Sequence, residues 1–170
     1  MALSRRQILA LGSMSALVGG LGGAAVVTSR WWNPPAAGGF AYLAATEAAF
    51  IRALAGAAFP ATADIPHSAA DLDLDHFFDA ALRHLPPDQR KLARVGLHAL
   101  DALPMATTGS SFVALSGAQQ AQVLEAWRTH ARPELRQATS SLLVVSGMGF
   151  CTHPTVAPFF QAWHRCGYGR

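Results

Sequence analysis

A chain of 170 residues, 51% of them hydrophobic and 14% charged, is long enough for one ordinary hydrophobic core without metal or disulfide support. Its formal charge of +3 belongs to the beginning. Once Arg5, Arg6 and Arg30 are set aside, the remaining basic residues are matched by the acidic ones, and no basic face interleaved with aromatics is present, which argues against nucleic acid as a partner.

The first thirty residues read as an address. Ser4-Arg5-Arg6-Gln7-Ile8-Leu9 opens an apolar stretch over 8–27 that is diluted by Gly12, Gly19, Gly20, Gly22 and Gly23. Adjacent arginines ahead of a weakly hydrophobic run form a twin-arginine export signal, and no acidic residue occurs before Glu47. Twenty residues at about 1.5 Å each would also span a bilayer, with Trp31 and Trp32 at the far interface. The expected location is therefore the periplasm, either released or tethered to the inner membrane by an uncleaved leader. Cleavage after Ala25 or after Ser29 is conceivable, but neither offers a clean A-x-A site. Residues 31–41, rich in Pro, Gly and Ala, read as a linker, and 42–170 as one domain.

Within that domain the apolar spacing is helical throughout. Phe50, Ile51, Leu54, Ala57 and Ala58 place a helix over 42–59, stopped by Pro60. Leu74, Phe77, Phe78, Ala81, Leu82 and Leu85 form one stripe, with Asp71, Asp73 and Asp75 at its start, where the helix dipole favours negative charge. A third helix opens at Pro87-Asp88 and runs to Leu103, with Leu92, Val95, Ala99, Leu100 and Leu103 inward and Arg90, Lys91 and Arg94 toward solvent. The stretch 104–111 reads as a loop and 112–115 as a turn. Ser116 with Gln119 has capping-box spacing and begins a helix carrying Val123, Leu124 and Trp127 to about His130. Pro133 begins a fifth helix with Leu135, Ala138, Leu142 and Val145 inward, ending at Gly147-Met148-Gly149. A short helix over 156–163 follows. With no alternating strand pattern and no repeat, the expected fold is all-α, a compact orthogonal bundle of five to six helices.

Few residues form a credible reactive constellation. Asp71-Leu-Asp-Leu-Asp75 lacks the glycine and the twelfth-position glutamate of a calcium loop and reads as a solvated helix start. There is no G-x-S-x-G elbow, no phosphate loop and no dinucleotide fingerprint, and no C-x-x-C-H for haem. His84, His98 and His130 fall on or beside polar helix faces. The soft ligands Met148, Cys151, His153 and His164 make up a copper-type set, so a small exported copper or redox protein is the alternative reading, although their spacing matches no metal motif. Cys151 and Cys166 lie 15 residues apart. An intrachain disulfide there would contribute on the order of 3 kcal/mol; a bond to a partner chain and metal ligation stay open beside it.

The order of short motifs is more informative than any one of them. Ala57-Ala58-Phe59-Pro60 ends the first helix. Phe77-Phe78, Leu85-Pro86-Pro87-Asp88-Gln89-Arg90, Gly96-Leu97 and Leu100-Asp101 follow, then Phe112-Val-Ala-Leu115-Ser116 with Gln119-Gln120, Thr152-His153-Pro154 and Gly167-Tyr168-Gly169. This order resembles the gluconate 2-dehydrogenase subunit 3 family, the small subunits of membrane-associated sugar and alcohol dehydrogenases. The resemblance implies a non-catalytic subunit with no cofactor of its own. Its partners would be a large glucose–methanol–choline-type flavoprotein holding FAD, often a cytochrome c subunit with c-type haem, and the twin-arginine translocase. The small chain would supply the export signal for the large one and assist its maturation. Where the family commonly carries a tyrosine-rich segment before His-Pro, this chain has Gly149-Phe150-Cys151, and it ends soon after Gly-Tyr-Gly.

Overall fold

A computed structural model describes residues 34–163, with side chains through residue 160. Six helices of seven residues or more and one single-turn helix make up the described part, with no strand among the described residues. They are α1 (Ala45–Ala58), α2 (Leu74–Leu82), α3 (Pro87–Ala102), α4 (Met105–Thr108), α5 (Gly117–Arg128), α6 (Pro133–Thr152) and α7 (Ala157–Trp163), with 3-10 turns at Ala69–Asp71 and Phe112–Ala114. The all-α bundle is thus what forms. None of the described helices is long and apolar enough to cross a membrane.

α1 is the central helix. It touches α2, α3, α5, α6 and both 3-10 turns, because its Phe50, Ile51 and Leu54 are at most 1% exposed. Around it the main core gathers Phe78, Leu82, Leu97, Phe112, Trp127 and Leu142. Phe112 joins two elements here: its ring meets Phe50 edge-on at 5.5 Å and stacks on Trp127 at 5.2 Å. A second, smaller cluster holds Ala55, Ala69, Leu72, Leu74, Phe150 and Val156. Phe59 stacks on Phe150 at 5.2 Å, and Phe160 of α7 meets Phe150 edge-on at 6.3 Å. Phe159 likewise faces His67, so these two aromatics of the last helix are half-buried intramolecular contacts.

Three boundaries differ from the apolar pattern, each for a local reason. α2 stops at Leu82 rather than Leu85: the chain tightens into three-residue turns, with Leu85 N donating to Leu82 O at 3.1 Å, ahead of Pro86-Pro87, and Arg90 donates from Nε to Leu82 O and from Nη2 to Leu85 O, both at 3.0 Å. The stretch after Ala102 forms the single turn α4, closed by Gly109 in the left-handed region at φ 73°, where glycine bears no steric penalty. α6 continues through Gly147 and Gly149 to Thr152. Those glycines allow close approach instead of ending the helix: a β-carbon on Gly149 would lie 2.8 Å from Phe77 Cδ1, and one on Gly147 would lie 3.2 Å from Phe59 Cζ. The capping box at Ser116 forms as its spacing requires, with Ser116 N donating to Gln119 Oε1 at 3.0 Å.

α3 is rotated relative to the expected inward face. Ala93, Arg94, Gly96, Leu97 and Leu100 are buried, whereas Leu103 is 40% exposed and Leu92, Val95 and Ala99 are half-buried. The burial of Arg94 is the reason, and it belongs to the site described next.

Candidate functional site

Residues 34–44 have no helix, yet they are bound to the bundle by charged side chains from three helices. Asp79 of α2, 7% exposed, accepts from three consecutive backbone amides: Ala41 N at 2.9 Å on Oδ2, and Tyr42 N and Leu43 N at 2.8 Å on Oδ1. Glu47 of α1, 1% exposed, accepts from Ala44 N at 2.7 Å and from Arg94 Nε at 2.9 Å on Oε2. His98 Nε2 lies 2.9 Å from Glu47 Oε1. Arg94 continues the chain of contacts by donating from Nη2 to Pro34 O at 2.6 Å.

The strap adds its own support. Ala37 N donates to Leu43 O at 2.9 Å and Phe40 N to Ala37 O at 3.0 Å, closing a turn in which Gly39 takes φ 93°. Phe40 stacks on His76 at 4.5 Å. The guanidinium of Arg90 sits 3.9 Å over the Tyr42 ring, in cation–π range.

A buried carboxylate is tolerated only with a full set of donors, and Glu47 and Asp79 each have one. Their donors are largely strap amides, together with a guanidinium that also holds the strap. Apart from the Ala44–Glu47 contact, which is local to the start of α1, these contacts join positions 36 to 60 residues apart, so they exist only once α1, α2 and α3 are packed together. Of the expected linker at 31–41, residues 31–33 lie outside the described residues; 34–41 lack regular structure and are hydrogen-bonded to the bundle.

Several residues expected at the surface are therefore inside. Arg94 pairs with Glu47, and Arg90 caps α2 and covers Tyr42. His98 is half-buried beside Glu47. Asp75 is 4% exposed rather than solvated: its Oδ2 meets Arg52 Nε at 2.9 Å, tying α2 to α1, while Oδ1 accepts from His76 N. Lys91, Asp71, Asp73, His84 and His130 are exposed as expected. Glu47 and Asp79 carried one weak signal each: Glu47 stands at the third position of a helix whose N-cap is alanine, and Asp79 follows directly on the apolar stripe residue Phe78.

The soft-ligand group is only partly within the described residues. Met148, Cys151 and His153 lie at the end of α6; Cys151 is exposed as a residue, and partial burial of its thiol pushes the pKa up. His153 Nδ1 accepts from Thr155 N at 3.3 Å, a local turn contact. His164 and Cys166 lie outside the described residues, as do Ser4, Arg5, Arg6, Gln7, Ile8 and Leu9 and the proposed cleavage sites. Among the described residues no three His, Cys, Asp or Glu side chains converge as metal ligands.

On the far side of α3 the surface is apolar. A groove of about 440 Å³ runs between the last turn of α3, α4, α5 and the start of α6, lined by Ala99, Leu100, Leu103, Pro104, Ala106, Thr107, Val123, Ala126, Trp127, His130, Arg132, Glu134 and Leu135. Met105, 54% exposed, and Leu103 bring large apolar side chains to the surface at this end.

No curated protein and no solved structure matches the chain. The family model for gluconate 2-dehydrogenase subunit 3 does, over residues 45–169, from the first residue of α1 nearly to the C-terminus. A helical body with charged side chains committed to internal ties, matched over most of its length by that model, belongs to the gluconate 2-dehydrogenase subunit 3 family.

Proposed function

We propose that the chain is the non-catalytic small subunit of a periplasmic FAD-dependent dehydrogenase of the glucose–methanol–choline type. It provides the twin-arginine signal (Ser4, Arg5, Arg6, Gln7, Ile8, Leu9) for a large flavoprotein subunit and stabilises that subunit. FAD and the substrate pocket belong to the large subunit, and a cytochrome c subunit accepts the electrons in complexes that contain one. Two facts support this reading beyond family membership.

The family match carries the reading; the first supporting fact is the way residues 34–44 are held. The end of the N-terminal stretch is held to the bundle by Asp79, Glu47 and Arg94. Residues 34–44 are thus part of the folded body, and whatever binds that body shares the signal that precedes it. The second is that the buried charged groups are engaged with one another or with backbone, which is structural work. Folded-state export suits both, since a bound flavoprotein crosses with the chain that carries the address.

The test is purification of the tagged full-length chain from the periplasmic and membrane fractions of its own cells, which express any large flavoprotein subunit it serves. The expected result is co-purification of the larger chain with flavin absorbance and substrate-dependent dye reduction, and neither from the small chain expressed alone. Recovery of the small chain with stoichiometric copper and no flavoprotein would contradict it.

A further inference from the structure

Three carboxylates are buried among the described residues: Glu47, Asp75 and Asp79. Two of them face a guanidinium, Glu47 meeting Arg94 and Asp75 meeting Arg52, each at 2.9 Å. Asp79 differs. Among the described residues no cation pairs with it, and its hydrogen bonds come from the amides of Ala41, Tyr42 and Leu43. Protonating Glu47 or Asp75 would leave a guanidinium without its carboxylate. Protonating Asp79 strands no cation and removes a buried charge that has no counter-ion. It also turns an acceptor oxygen into a hydroxyl donor, which cannot face an amide N–H. The loss falls on the strap.

The strap has little else to hold it. Within 34–42 no residue is buried: Pro34, Ala37, Phe40 and Tyr42 are half-buried, the others are exposed, and Leu43 is the first buried position. A segment with few buried apolar contacts opens locally before the whole fold does. The other ties are Arg94 on Pro34 O, His76 against Phe40 and Arg90 over Tyr42. α2 packs on α1 and α6, and neither brings a counter-ion to Asp79. Arg52 and Glu47 of α1 are paired elsewhere, and the buried residues of α6, from Ala138 to Phe150, include no titratable side chain. On α3, Arg94 and His98 sit on Glu47, and Arg90 holds the carbonyls of Leu82 and Leu85. Arg83, one turn beyond Asp79, is exposed.

We propose that Asp79 is an acid-sensitive latch: its carboxylate holds residues 34–42 on the bundle, and its protonation releases them while the helices stay packed. The hold is present at neutral pH and is lost as the pH falls and the carboxylate takes up a proton. Release converts nine residues of the folded body into a tether of up to about 30 Å ahead of α1.

The experiment follows amide protection factors of the full-length chain, which remove the intrinsic pH dependence of exchange, from neutral pH to about pH 3, below the ordinary carboxylate range. Protection at Ala41, Tyr42 and Leu43 is expected to fall about ten-fold or more, while Leu54 of α1 and Leu142 of α6 keep theirs and the helical circular dichroism is unchanged. Asp79→Asn keeps the side-chain size and one acceptor oxygen but not the charge. It is expected to show the lowered strap protection already at neutral pH and to lose the response to acid. Glu125→Gln, in an exposed pair on α5, should behave as the parent. Strap amides that stay protected in acid, or that lose protection only together with Leu54 and Leu142, would overturn the latch. So would an acid response that survives in Asp79→Asn, which would place the sensor at His76 or His98. If Asp79→Asn does not fold, the titration of the parent decides between these outcomes.

Discussion

Asp79 shows how one side chain can hold the start of the folded part. Its carboxylate accepts from three successive amides, and removing it leaves three donors short of a partner. Asp79→Ala is expected to cost about 3 kcal/mol, read as a lower denaturation midpoint, with faster amide exchange at Ala41, Tyr42 and Leu43 than in the rest of the bundle. Glu47→Ala leaves the Arg94 guanidinium without its carboxylate in a buried setting, for which the expected loss is about 3–5 kcal/mol by the same denaturation measurement. Cys151 offers a different test. Partial burial raises its thiol pKa, and the thiolate is the reactive form. In the reduced protein its alkylation at neutral pH should therefore be slower than that of an unstructured cysteine peptide, and should approach the peptide rate only as the pH rises past the ordinary thiol range. Equal rates at neutral pH would contradict the raised value.

At the scale of elements, the apolar period located the helices, because a stripe at i, i+3, i+4 and i+7 has only one good way to be buried. It located α1, α2, α5 and α7 to within a few residues at most boundaries, and Pro87 and Pro133 marked the starts of α3 and α6. It failed where tertiary partners override pattern. Arg94 looked like a surface residue because nothing local reveals Glu47, which is 47 positions away. Gly147 and Gly149 looked like a helix end because their partners, Phe59 and Phe77, come from distant elements. Two glycine substitutions separate these causes. A β-carbon at Gly96 of α3 meets nothing within 4 Å, so Gly96→Ala should stabilise the bundle by about 0.5–1 kcal/mol through helix propensity. Gly149→Ala meets Phe77 at 2.8 and 3.0 Å and Leu74 at 3.3 Å and should destabilise it by about 1–3 kcal/mol. Opposite signs in paired thermal melts check the pair; equal signs would mean that α6 and α2 are less closely packed than described.

For the whole molecule, sequence and structure divide the account between them. The export motif expected from the sequence lies in residues 1–33, outside the described part. The ties of residues 34–44 are legible only as structure: the composition of 31–41 suggests a tether, whereas Asp79, Glu47 and Arg94 bind 34–44 to the bundle. The groove was likewise invisible to periodicity, because Leu103 scored as an inward residue on α3 and is 40% exposed at the groove edge. Together they describe a small bundle with residues 34–44 tied to α1, α2 and α3 and an apolar groove at the end of α3, in the gluconate 2-dehydrogenase subunit 3 family. The central claim, that this chain directs the export of a larger partner, is tested most directly by changing Arg5→Lys and Arg6→Lys together and fractionating cells for the flavoprotein. The account predicts that both chains then accumulate in the cytoplasm and that periplasmic substrate oxidation is lost. Undiminished flavoprotein in the periplasm, with only the small chain retained, would contradict it.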